Sequence, residues 1–319
     1  MKRTVLTLII AAGMGTLAHA SFDMMFVADG VTKSIHRIDP INGVSLGRFG
    51  AGFLSNPVSV SLGPNNEVWV LDQPGSNSRV RKFNGNTGDY LGGFSLYYST
   101  GSDSKLRVVG NNVFVTSGNG FGSGYLFNYQ LNGNLNGASY LSLTEAGNQT
   151  QGVAVIGSTV YCSSIQSAFS RHLFYQTPVS SSWNGGFIGY SNTVTSSANP
   201  GYLTAANGLL VHTAGVTQGF VFNSSLAFIQ SFGISGFTSI KGLAGGHEDL
   251  VHVAGMTSNG FGVAKYYSGT NDFISPTVIG GTGITDPRDI AVLIAPEPGT
   301  MIALGAGLAA LLRKRRRAS

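Results

Sequence analysis

The sequence predicts an all-β fold: a six-bladed β-propeller of four-stranded blades, its ring closed by strands from both ends of the chain. Three observations carry this. Helix signals are nearly absent between Ser21 and Ala295, where short β-branched and aromatic runs alternate with Gly, Asn and Ser clusters. One kind of run recurs six times, centred on Phe26, Trp69, Phe114, Tyr161, Val211 and His252, at spacings of 43, 45, 47, 50 and 41 residues. A spare strand, residues 288–293, follows the sixth unit.

Each unit supports the same order of strands. In the second, Pro57-Val58-Ser59-Val60 leads to a turn at Asn65-Asn66, then to the run Val68-Trp69-Val70-Leu71-Asp72. Arg79-Val80-Arg81-Lys82-Phe83 supplies a third strand, Thr87-Gly88 a turn, and Tyr90-Leu91-Gly92-Gly93-Phe94 a fourth. Leu106-Arg107-Val108 with Asn111-Asn112, and Val153-Ala154-Val155 with Gly157-Ser158, repeat the opening strand and turn. Four strands at this period define a propeller blade. The first unit lacks an innermost strand, which the spare strand after Pro287 supplies, removing an exposed edge. Blades are expected at about 24–50 plus 287–294, 54–96, 104–143, 150–190, 198–232 and 238–280, within a body of residues 21–295. A seven-bladed ring is the competing count, and a pair of β-sandwiches a further alternative.

Composition bounds the function. The formal charge of +5 comes from the two ends, Lys2 and Arg3 and then Arg313, Lys314, Arg315, Arg316 and Arg317; the remainder carries 12 basic against 14 acidic residues. No cluster of Lys and Arg is available to neutralise phosphates, so no nucleic-acid partner is expected. No apolar run reaches the length of a polytopic membrane protein's spans. Residues 1–20 read as a secretory signal peptide, with Lys2 and Arg3, an apolar core, and small residues Ala18 and Ala20 before a cut at Ser21. That route implies the Sec translocon and signal peptidase as partners.

At the other end, Pro296-Glu297-Pro298 precedes an apolar run from Thr300 to Leu312 and the basic cluster of residues 313–317. A helix over that run spans about 20 Å, short of the roughly 30 Å hydrocarbon core. It suits a transient stop in the inner membrane, with the arginines held on the cytoplasmic side. This three-part order resembles the PEP-CTERM sorting signal of Gram-negative bacteria, here over residues 296–319. The resemblance implies exosortase as the protease that cuts near the Pro-Glu-Pro, and a destination at the cell surface or in the extracellular matrix. It also implies a host that makes exopolysaccharide.

The early blades resemble NHL-type repeats. Asp29 and Asp72 match that family's Asp at the end of the recurring strand, whereas Ser117, Ser164, Ala214 and Gly255 stand in the slot in later blades. The resemblance implies a propeller and leaves activity open, because propellers host binding proteins, lactonases and lyases alike.

Polar groups on or beside the inner strands are the candidate ligand contacts at the channel mouth: Asn56, Lys105, Arg107, Gln151, Tyr202, Lys241, Arg288 and Asp289. A metal-dependent hydrolase needs several oxygen ligands converging on one cation. Asp289 is the clearest, with Glu145 and Asp286 on approaching loops. His212 and His252 are out of phase in equivalent strands, and His36 and His172 lie in third strands, so no zinc site is expected. The single cysteine, Cys162, excludes an intramolecular disulfide and reads as a small buried hydrophobe. Tyr97-Tyr98, Trp183, Tyr190 and Tyr266-Tyr267 are aromatic residues that either stack on sugars or pack the core. No cofactor, metal or catalytic residue is assigned. The expected function is an exported, non-catalytic protein that docks to exopolysaccharide or to another surface protein. The alternative is a gluconolactonase-like, metal-dependent hydrolase or lyase acting outside the cytoplasm.

Overall fold

The structure, a computed structural model, describes residues 23–73, 77–98, 100–117, 124–141, 148–166, 171–179, 183–184, 190–195, 201–246 and 249–294. The signal segment with Ala18, Ala20 and Ser21, the tail from Pro296 to Ser319, Glu145, His247 and Glu248 lie outside these residues. So do the side chains of Gln151, His172, Trp183 and Tyr190.

Six sheets form the ring, antiparallel throughout apart from one short added strand in the third. Blade 1 contains β1 (Met24–Asp29), β2 (Ser34–Asp39) and β3 (Val44–Phe49). Blade 2 is β4 (Pro57–Leu62), β5 (Glu67–Asp72), β6 (Arg79–Asn84) and β7 (Tyr90–Ser95). Blade 3 is β8 (Leu106–Val109), β9 (Asn112–Thr116), β10 (Gly124–Gln130) and β11 (Leu135–Leu141). Blade 4 begins with β12 (Asn148–Ile156), β13 (Thr159–Gln166) and β14 (Arg171–Pro178). The short β15 (Trp183–Asn184) then leaves to pair in parallel with β11 of blade 3, before β16 (Tyr190–Thr195) returns to β14. Blade 5 is β17 (Gly201–Ala206), β18 (Leu209–Ala214), β19 (Gln218–Phe222) and β20 (Phe228–Gly233). Blade 6 is β21 (Ser239–Gly245), β22 (Leu250–Thr257), β23 (Gly260–Tyr267) and β24 (Asp272–Val278). The last strand, β25 (Pro287–Leu293), pairs antiparallel with β1 and completes blade 1 from the opposite end of the chain. The inner strands touch in the cyclic order β25, β4, β8, β12, β17, β21 and back to β25. Mixed-terminus closure of six blades is therefore the observed architecture.

The recurring runs are the second strands of the blades, and their composition follows from burial on both faces. Successive side chains of a strand point to opposite sides. In β1, Met25 and Val27 pack towards blade 6 with Phe261 and Val263, while Phe26 and Ala28 pack towards blade 2 with Val68 and Phe83. Trp69 is buried between blades 2 and 3 beside Leu106 and Phe127. Cys162 is fully buried between blades 3 and 4, where desolvation pushes its thiol pKa far up. The core is thus a cycle of layers, one between each pair of neighbouring blades. Each fully buried large apolar side chain contributes about 1.5–3 kcal/mol relative to exposure.

Near the axis the packing is tighter. Four inner strands carry a bulge at the same place, setting Val58, Gln151, Lys241 and Arg288 out of register. A bulge re-aims the residues beside it. The residue that follows is Ser59, Gly152, Gly242 or Asp289. A Cβ on Gly152 would lie 2.6 Å from Leu203 Cβ, and one on Gly242 would lie 2.9 Å from Ile290 N. Small residues are required there because neighbouring inner strands approach so closely. Asp289 is the one large, charged member of this set.

Candidate functional site

Asp289 occupies the head of the channel with an exposure of 1%. Its Oδ2 accepts a 2.5 Å hydrogen bond from Ser59 Oγ of blade 2 and a longer one, 3.4 Å, from Val60 N. Ser59 Oγ in turn accepts from Leu106 N of blade 3 at 2.9 Å. Arg107 Nη1 lies 3.3 Å from Asp289 Oδ2 and also donates to the carbonyls of Leu106 and Val60. Arg107 Nη2 reaches Leu243 O of blade 6 at 3.5 Å. Lys105 Nζ stands 3.8 Å from Asp289 Oδ1, donates to Arg288 O at 2.9 Å, and lies 4.8 Å from the centre of the Tyr202 ring of blade 5. Lys105 and Arg107 extend the cluster around this carboxylate to five blades.

Burial shapes the electrostatics. Lys105 is buried, and desolvation lowers its pKa; Asp289 opposes that shift, while Arg107 and Lys241 add to it. Desolvation also raises the Tyr202 hydroxyl pKa, and Asp289 and Asp103 raise it further. A buried ammonium needs its counter-charge, since an unpaired buried ion is costly.

Four of the eight sequence candidates, Lys105, Arg107, Tyr202 and Asp289, are thus brought together. Lys241 is half-buried and close enough to act on Lys105 electrostatically. Gln151 lies at the β12 bulge. Arg288 turns away: its guanidinium pairs with Asp286 at 2.5 Å, above Gly30 of the β1–β2 turn. Asn56 contributes backbone, its N–H donating to Asp72 Oδ1 at 2.7 Å and its carbonyl accepting from Gln73 N. Ser59 was not among the candidates. Its signal in the sequence is the small residue two places after Asn-Pro, at the position where Asp289 follows Asp-Pro.

The Asp residues at the ends of the second strands serve the loops. Asp72 Oδ1 accepts from Ser55 N and Asn56 N, at the lead-in to its own blade's inner strand. Asp29 does the same for Thr285 N before β25, and also caps Val31 N and Thr32 N. In blade 3, Thr116 Oγ1 takes over by accepting from Lys105 N. In blade 6 no side chain fits the slot, because a Cβ on Gly255 would lie 2.0 Å from Ser239 O.

The three histidines with described side chains, His36, His212 and His252, are core residues. His36 is buried and bonds Thr32 Oγ1 at 3.0 Å. His212 is buried edge-to-face against Phe174. His252 is buried 4.0 Å from Asp23, and desolvation, reinforced by Lys265, pulls its pKa down to about 4. Among the described residues no group of three His, Cys, Asp or Glu side chains is placed to hold a metal ion. At Asp289 itself the two nearest charges are cations, which oppose a divalent ion. Arg107 also borders a cavity of about 170 Å³ lined by residues of five inner strands.

Comparison with known proteins gives two kinds of result. Residues 295–317 match the PEP-CTERM protein-sorting motif. The motif implies export to the cell surface or extracellular space, with exosortase as the processing partner. No helix among the described residues is long and apolar enough to cross a membrane. The propeller is similar to solved structures at low identity. One, from a nidogen/laminin complex, has a TM-score of 0.61 and 9% identity, over 86% of this chain and 99% of that one. A protein of unknown function from Bacteroides caccae has a TM-score of 0.58 and 9% identity, over 86% and 99%. A candidate 6-phosphogluconolactonase from Bacteroides uniformis has a TM-score of 0.54 and 14% identity, over 81% and 83%. At these identities the likeness is one of fold. No curated protein matches the chain.

Proposed function

We propose that this is an exported, non-catalytic interaction protein of a Gram-negative cell surface or matrix, docking to exopolysaccharide or to a surface protein. The observation that carries this reading is how the channel-mouth groups are used. Asp289, Ser59, Lys105 and Arg107 are turned onto one another and onto backbone carbonyls, so they tie blades together at the place where a propeller enzyme would present reactive groups to substrate. The position of the sorting motif agrees with it. β25 ends at Leu293 and the motif begins at residue 295, so a cut near Pro296, Glu297 or Pro298 leaves every strand of the ring in place. Delivery begins with the signal segment, the Sec translocon and signal peptidase, and passes through a transient inner-membrane stop held by residues 313–317.

The test compares the chain from cells with and without exosortase, by mass spectrometry of its C-terminus and by cell fractionation. The purified product is then assayed for release of reducing ends or unsaturated sugars from host exopolysaccharide and for lactone hydrolysis. The reading expects a trimmed, surface-located chain without turnover. Sustained turnover that Lys105→Met abolishes would replace it with the hydrolase or lyase reading.

A further inference from the structure

We infer a binding site for an uncharged polysaccharide on the face of blades 3–5 opposite the Asp289 cluster. It rests on the reading of the chain as an exported binder. The first observation is the distribution of charge. The chain has 19 Lys and Arg and 14 Asp and Glu, yet within residues 108–240 only Glu145 and Arg171 are of these types. Blades 3, 4 and 5 fall almost wholly inside this stretch, so half the ring presents amides and hydroxyls in place of ions.

The second observation is that this half holds two adjoining hollows. One, of about 580 Å³, lies between blades 4 and 5 and includes Thr159, Gln176 and Ser225. The other, of about 460 Å³, lies beside the first and third turns of blade 3 and includes Asn112, Gln130 and Asn132. Both volumes are within the roughly 300–1,000 Å³ range of ligand sites. Among the described residues that line the two hollows none is Asp, Glu, Lys, Arg or His. The end of β14 separates them, with Pro178 bordering the first and Val179 the second. Val179 N donates to Ser158 O at 2.7 Å, and Tyr161 Oη donates to Ser224 O at 2.7 Å. One bond ties the divider to the first turn of blade 4, and the other ties Tyr161 of β13 to the third turn of blade 5 across the larger hollow.

The chemistry selects the ligand. Side-chain amides and hydroxyls both donate and accept, as sugar hydroxyls do. An acidic sugar would surrender hydration of its carboxylate to hollows lined by no described cation, since Lys82 beside the smaller one is already engaged, its Nζ donating to Leu131 O at 2.7 Å. A chain of neutral sugars spans the divider and places one residue in each hollow.

The experiment is affinity electrophoresis of the exported chain in gels containing dextran, levan, galactomannan or alginate, at low and at high salt. The expected result is retardation by at least one of the three neutral polymers, unchanged by salt, because no ion pair is screened. Gln176→Ala and Asn112→Ala each weaken that retardation about tenfold, the loss of roughly one good hydrogen bond. Asn86→Ala, on the third turn of blade 2, leaves it unchanged, and matching melting curves show that the variants fold. Binding confined to alginate and lost at high salt, or no retardation by any neutral polymer, overturns the site. Either outcome without turnover leaves the non-catalytic reading standing, whereas cleavage of a polymer removes that reading too.

Discussion

Replacing Asp289 by Asn removes one charge from the head of the channel and keeps the shape. The Ser59 hydroxyl retains an acceptor, so the loss falls on Lys105 and Arg107. Lys105 is buried, with Asp289 as its nearest counter-charge, while Arg107 is partly solvated. Removing one partner of a buried ion pair costs about 3–5 kcal/mol, because the other charge is left uncompensated. In a domain of this size each kcal/mol lowers the melting temperature by about 2 °C, giving a fall of about 6–10 °C. The assay is thermal unfolding followed by circular dichroism at neutral pH. Lys105→Met on the Asp289→Asn background should recover a substantial part of the loss, since it removes the stranded ammonium. A melting temperature within about 2 °C of the parent for Asp289→Asn, or no recovery in the double variant, refutes the argument that this cluster holds the blades together.

Three further predictions follow from the same packing. Gly255→Ala forces a Cβ against the backbone carbonyl of Ser239 and should cost about 1–3 kcal/mol in urea unfolding, whereas Ala214→Gly in the equivalent slot of blade 5 is tolerated better. His252 has a folded-state pKa of about 4 against the ordinary 6.5 of histidine, so its neutral form favours the fold. Its contribution is complete above about pH 6.5 and is lost as pH falls towards 4, up to about 3 kcal/mol; His36 shifts in the same direction through burial. A His252→Phe variant should therefore show a shallower decline in stability between neutral pH and pH 4, and an unchanged decline contradicts the assignment. Ending the chain at Asp286 removes β25 and Asp289 together, exposing the inner edge of β1. That chain should aggregate or lose cooperative unfolding, whereas ending it at Ala295 should leave the melting curve unchanged.

The blades were legible in the sequence because each second strand is buried on both sides, so a run such as Val68–Leu71 is apolar without alternation and stands out against the Gly- and Asn-rich turns. Closure was legible because Pro287–Leu293 repeats the Pro-led inner strand of blade 2. Strand order says nothing about loops that leave their own sheet, and β15, which crosses to pair with blade 3, carried no pattern to announce it. At the channel, listing polar residues near inner strands found Lys105, Arg107, Tyr202 and Asp289. It did not find Ser59, whose small side chain matters only because the axis is crowded. It also placed Arg288 with Asp289, although adjacent residues of a strand face opposite ways; the bulge at Arg288 sends the guanidinium to Asp286. The roles of Asp29 and Asp72 depend on loops far away in sequence, which the residues themselves do not name.

We propose that the channel mouth is a structural clasp in a protein that binds and does not turn over substrate. The most direct measurement is thermal unfolding of the exported chain with chelator, then with calcium, magnesium or zinc, then with host exopolysaccharide. A ligand that binds only the folded state raises the melting temperature. The expected result is no loss in chelator, no gain with metal, and a gain with polysaccharide that persists in Lys105→Met when measured against that variant's own baseline. A large loss in chelator restored by one metal, and abolished by Asp289→Asn, would contradict it.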